Sequence, residues 1–158
     1  MKKTILLLVP IVLCVLSQTG CQTAGHYDPV KTAQIQAALE PIASGALRRA
    51  ILNSPHHAAE TANYARAIGG VFCDMSATSQ FDPIYLITAL DRATAGLQAD
   101  VDPLIIDTKN ALIAIYEIAW ADRLRAELPP DSWLKFTADF VCDVIDRTLK
   151  DLGEPGVK

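Results

Sequence analysis

Proline sits in this chain where it starts helices. Asp28-Pro29, Ser54-Pro55, Asp82-Pro83 and Asp102-Pro103 each place a side chain able to accept from the first free N–H groups of a helix before a ring whose fixed φ suits the first helical position. A fifth start falls at Pro129-Pro130-Asp131-Ser132, where the prolines stop one helix and Asp131 or Ser132 caps the next. Few stretches alternate with a period of two and alanine is abundant, which disfavours strands. The pattern predicts segments over about 29–52, 55–77, 83–98, 103–127 and 132–152, and so an all-α compact bundle of about five helices. The Asp-Pro openings stand 54 and then 20 residues apart, which is shared capping chemistry and not a solenoid repeat.

Helical wheels assign roles to these segments. In the last, Trp133, Leu134, Phe136, Thr137, Phe140, Val141, Val144, Ile145, Leu149 and Leu152 fall on one broad arc, with Lys135, Asp139, Asp143, Asp146 and Lys150 opposite. Asp131 with Lys135, Asp143 with Arg147 and Asp146 with Lys150 are acid-before-base pairs four apart, as on a solvated face. The segment is therefore expected to pack by one side. The fourth is apolar nearly all round, with a narrow polar strip of Asp107, Asn110, Glu117 and Arg125. That places it at the centre of the bundle with Ile105, Leu112, Tyr116 and Trp120 inward. In the first segment Pro41 removes a backbone donor in mid-run, so a kink or a break into two helices is expected.

Upstream of the helices, Lys2 and Lys3 precede an apolar run from Ile5 to Leu16 interrupted by Pro10, the layout of a secretory signal. The run is shorter than the roughly 20 residues a spanning helix needs. The densest later stretch, at 111–121, is also short and carries Glu117, as a core helix does. The end of the signal, Thr19-Gly20-Cys21, resembles the lipobox of bacterial lipoproteins, in which small residues precede a cysteine that is acylated and becomes the new N-terminus. Gln18 stands where that family has an aliphatic residue, and the nearest leucine, Leu16, is five positions before the cysteine. The resemblance covers residues 1–21. It implies Cys21 as the lipid-attachment residue and anchorage through thioether-linked acyl chains. With Gln22 next in place of aspartate, it implies sorting to the periplasmic face of the outer membrane in a Gram-negative host. The competing reading is ordinary cleavage, for example after Ser17, releasing a soluble secreted protein.

These expectations divide the chain into a signal at 1–20, a lipidated tether at 21–27 and a single helical domain at 28–158. Removal of the signal takes away two lysines and no acid, so the formal charge moves from −4 to −6. Binding to phosphate backbones needs clustered Lys and Arg, and beyond the pair Arg48 and Arg49 no cluster is seen, so no nucleic-acid partner is expected. The acidic balance equally gives no electrostatic reason to adhere to an anionic lipid surface; the anchor alone would supply the membrane contact.

Export also pairs the cysteines. Cys14 leaves with the signal and Cys21 carries lipid, which leaves Cys73 and Cys142 as a candidate disulfide in an oxidising compartment, against the alternative of two inert buried thiols. Beside Cys73, the small residues Ala62, Ala65 and Gly69 would permit close approach of a neighbour. The pair Gly69-Gly70 fits no phosphate-binding fingerprint and would loosen the helix or allow tight packing.

Residues capable of chemistry are sparse. His26 lies in the tether and His56 and His57 open the second segment; His56, Glu60 and Asn63 share a face but supply no third strong ligand, and catalytic zinc needs three. No Gly-x-Ser-x-Gly elbow is present and no cysteine has a base at fixed spacing. Arg66 and Asp74 read as solvent-facing, and Glu117 as lying on the wet strip. Neither metal nor cofactor is expected. The sequence favours a non-enzymatic lipoprotein that binds an envelope protein or polymer, over a hydrolase-like envelope enzyme with a site scattered over His56, Glu60 and Glu117.

Overall fold

Asp82 and Pro83 show the local logic at work: the Asp82 carboxylate accepts from the Ile84 N–H at 2.7 Å and Pro83 takes the first helical position. The computed structural model describes residues 29–54, 58–97, 106, 107, 109–114, 116, 117, 120 and 133–157. Of these, 85% are helical, in five helices with no strand among the described residues, so the fold is an all-α bundle. Helix α1 spans Pro29–Leu52, α2 Ala58–Thr78, α3 Pro83–Thr94 and α5 Trp133–Asp151. Between α3 and α5 every described position within 106–120 is helical, and this segment is α4. The signal, the tether, Asp28, Pro55, Asp102, Pro103, Ile105, Arg125 and the 129–132 junction lie outside the described residues.

Long-range contacts fix the helix directions. Ser76 meets Asp139, Cys73 meets Cys142 and Gly69 faces Ile145, so α2 and α5 run antiparallel. Gln36 bonds Asp143, Glu40 pairs with Arg147 and Ser44 bonds Thr148, so α1 and α5 run parallel. Helix α3 turns back on α2 after Ser79, whose φ of 56° is the left-handed geometry of a helix exit. Helix α4 is tied to that corner by the Tyr116 hydroxyl, which donates to the Phe81 carbonyl at 2.9 Å, and to α3 by the Lys109 ammonium, 3.2 Å from Asp91.

The core joins Tyr64, Phe72 and Met75 of α2 to Leu86 and Leu90 of α3, Tyr116 of α4, and Leu134 and Leu149 of α5. Each large side chain so buried contributes roughly 1.5–3 kcal/mol of transfer free energy. Among the described residues α5 is more enclosed than α4, the segment that its composition placed at the centre. Ten α5 side chains from Leu134 to Leu149 are buried, including Ala138, Cys142, Asp146 and Thr148, while in α4 the expected polar strip of Asp107, Asn110 and Glu117 is exposed, with Ala114 beside it, and the other described side chains are buried or half-buried. Tyr116 does point inward as expected, and Leu112 and Trp120 pack half-buried against the core. The apolar arc of α5 is turned inward as expected, and the departure from the wheel is Asp146, placed on the wet face by its spacing but buried in the structure.

The ion pairs of α5 are also redistributed. Lys150 does meet Asp146, at 2.7 Å. Arg147, however, reaches Glu40 of α1 at 3.2 Å, and Asp143 accepts from Gln36 at 3.1 Å. Lys135 bonds Asp139 on its own helix at 3.1 Å. Nor does α1 break at Pro41, for the helix is continuous from Pro29 to Leu52. Pro41 and Ala37, the residue whose carbonyl loses its partner, are both exposed, so water can satisfy that oxygen.

Candidate functional site

The two cysteines read as a candidate pair are joined: Cys73 and Cys142 form a disulfide across α2 and α5, with Cα atoms 5.0 Å apart. Gly69, one turn along, supplies the close approach its neighbourhood implied. A Cβ there would lie 2.7 Å from Ile145 Cγ2 and 3.2 Å from Val157 Cγ1, whereas one at Gly70 would meet open space. Of the two glycines, Gly69 is the one whose missing side chain admits the partner helix.

On the other side of the disulfide lies a polar cluster that sequence reading missed. Lys135 Nζ donates to Ser76 Oγ at 3.0 Å and to Asp139 at 3.1 Å, and the Ser76 hydroxyl donates to the same aspartate. A serine beside a lysine is a known way to build a nucleophile, but it requires the lysine to accept a proton. Here the lysine is also held by Asp139, and its side chain is 45% exposed. The cluster joins α2 to α5 at the end of the seam, and the only sequence signal for it was the four-residue spacing of Lys135 and Asp139.

Arg66, expected in solvent, instead holds the C-terminal segment. It donates to the Pro155 carbonyl at 3.0 Å and pairs with Glu154 at 3.1 Å. Gly153, at φ 76°, ends α5 and sends the chain back over the α2–α5 seam. There the Val157 N–H donates to Asp146 Oδ1 at 2.9 Å. Asp146 is thus 8% exposed beneath the returning chain and bonded on both oxygens, since Lys150 takes Oδ2. Gly156 fits this crossing, because a Cβ there would collide with Asp146 Oδ1 unless that side chain moved.

Of the residues proposed for chemistry, the structure describes three. Glu60 and Asn63 are exposed on α2 and Glu117 is exposed on α4, while His26, His56 and His57 lie outside the described residues, as does Cys21. Asp74 is exposed, as read from the sequence. Among the described residues no group of three or more His, Cys, Asp or Glu side chains is arranged to hold a metal ion. No helix among them is long and apolar enough to cross a membrane. A shallow depression at the α2–α3 corner is lined by Gln80, Phe81, Asp82, Ile84, Tyr85 and Thr88. It is open and contains no pairing of nucleophile with base.

Comparison with known proteins finds no matching family model, no matching curated protein and no matching solved structure.

Proposed function

We propose that this protein is a lipid-anchored lipoprotein of the bacterial envelope whose helical body acts as a non-enzymatic binding or assembly factor. Residues 1–20 direct export and are removed, Cys21 is acylated, and residues 21–27 tether the bundle to the periplasmic face of the outer membrane. The observation that carries this reading is Thr19-Gly20-Cys21 at the end of a charged and then apolar leader. The Cys73–Cys142 bridge supports it independently, because such bonds persist in oxidising compartments and are rare in a reducing cytosol. A tethered bundle meets envelope components at a raised local concentration, so modest contacts suffice for binding.

The experiment is fractionation and crosslinking in intact envelopes, comparing the native protein with Cys21→Ser. The variant is expected to leave the membrane fraction and lose its crosslinked envelope partner. Unchanged fractionation contradicts the anchor, and an unchanged partner set contradicts tethering as the means of binding.

A further inference from the structure

The outward face of α1 differs from the rest of the surface in a way that net charge conceals. Helix α1 contains one acid, Glu40, and that acid is paired with Arg147 of α5. The side of α1 turned from the bundle therefore carries no carboxylate, in a chain with 18 acids against 14 bases. It does carry large apolar side chains, with Val30 65%, Ile42 59% and Leu52 56% exposed, and between them the exposed Ala37 and Pro41. Arg48 and Arg49, the one basic pair noted in the sequence, are exposed on the same side. At 100° per residue these positions fall within about half of the helix circumference, a continuous strip along its length. The opposite side is apolar too, with Ile51 buried and Leu47 and Ala50 packed on the core. A helix that is apolar toward its own bundle and again toward the outside has two surfaces to cover.

We propose that this second surface rests on the anionic bilayer to which Cys21 is attached, with α1 lying in the plane of the interface. The inference rests on the acylation of Cys21 proposed above. Pro29 follows that cysteine by eight residues, so α1 begins at most about 28 Å from the anchored sulfur even with the tether fully extended. The helix is about 36 Å long and can lie along the surface for its whole length. Val30, Ile42 and Leu52 then enter the boundary between headgroups and acyl chains, while Arg48 and Arg49 meet anionic headgroups. Of the acids on α5, which runs beside α1, Asp143 accepts from Gln36 and Asp146 is buried, while the exposed Asp74, Asp91 and Glu117 belong to α2, α3 and α4. The contact is weak by itself and is maintained by the anchor, which confines the helix to the interface.

The test uses the acylated full-length protein reconstituted into vesicles, with an environment-sensitive fluorophore on Ile42→Cys. With Cys21 acylated and Cys73 bridged to Cys142, position 42 offers the one reactive thiol of the processed chain. In vesicles of equal parts phosphatidylglycerol and phosphatidylcholine the label is expected to shift to the blue, while the same label on Thr88→Cys, exposed on α3, stays at its value in water. Adding Arg48→Gln and Arg49→Gln lowers the docked-to-undocked ratio roughly twenty-five-fold, each arginine contributing about a factor of five. Vesicles of phosphatidylcholine alone weaken docking of the unsubstituted face in the same direction. Flotation with vesicles while the label at position 42 remains in water overturns the docking and leaves the anchor standing. Loss of flotation overturns the anchor and the docking with it. A blue shift that needs no vesicles and grows with protein concentration assigns the face to a second copy of the chain and also overturns the proposal.

Discussion

Along α2, helix α5 is held by a covalent bond at Cys73–Cys142, by the close fit of Gly69 under Ile145 and by apolar side chains that water does not reach. Along α1, the same helix is held by Gln36 on Asp143, Glu40 on Arg147, and the buried hydroxyls of Ser44 and Thr148, 3.0 Å apart. One seam is covalent and dry along its middle, with the Ser76–Lys135–Asp139 cluster at one end, whereas the other is bridged mainly by polar side chains, among them the partly exposed Glu40–Arg147 pair. Exposed ion pairs contribute at most about 1 kcal/mol and are screened by salt, while burial and a long-range disulfide are not. On this contrast α1 is expected to open before α2 and α5 part. It is also the helix that follows the proposed tether in sequence.

The strongest way to break the contrast is to remove the bond that defines the dry seam. Cys73→Ser with Cys142→Ser frees a loop spanning 69 residues and is expected to cost about 4 kcal/mol in the chain-entropy account. Chemical denaturation should show a lowered midpoint, with the reduced native protein unfolding at the same denaturant concentration as the variant.

Packing on that seam is tested by a pair of substitutions of opposite sign. Gly69→Ala drives a methyl into Ile145 and should destabilise by about 2 kcal/mol. Gly70→Ala, with open space in mid-helix, should stabilise by about 0.5–1 kcal/mol. Thermal unfolding of the two variants side by side decides whether the fit at Gly69 or glycine flexibility matters.

Two smaller effects sharpen the α1 side. Thr148→Val leaves the buried Ser44 hydroxyl without the bond it shares with Thr148, at a cost of about 1–2 kcal/mol. Hydrogen exchange should speed up on α1 and not on α2, because α1 opens locally. Smallest is the Glu40–Arg147 coupling, for which a double-mutant cycle with Glu40→Gln and Arg147→Gln should give less than about 1 kcal/mol, vanishing at high salt. A coupling that survives high salt would place that pair in a drier seam than the one described.

What the sequence made legible is what short-range chemistry controls. Asp82-Pro83 announced its helix because cap and ring act within two residues, and the cysteine pair followed by elimination from the expectation of a leader. What it concealed depends on distant parts of the chain. Asp146 reads as a wet residue on any wheel and becomes buried only because residues 153–157 return over it. Arg66 reads as solvent-facing and meets Glu154 and Pro155 for the same reason. Arg147 had an acid four residues earlier and chose Glu40 because α1 runs parallel beside it. The cluster of Ser76, Lys135 and Asp139 likewise required the α2–α5 register, which no local pattern encodes.

The most direct measurement is the non-reducing intact mass of the protein purified from envelopes, with maleimide added to mark any free thiol. The account predicts a chain beginning at an acylated Cys21 and carrying no maleimide, since its remaining cysteines are bridged. A chain recovered from the aqueous fraction with maleimide on an unacylated Cys21 would contradict it.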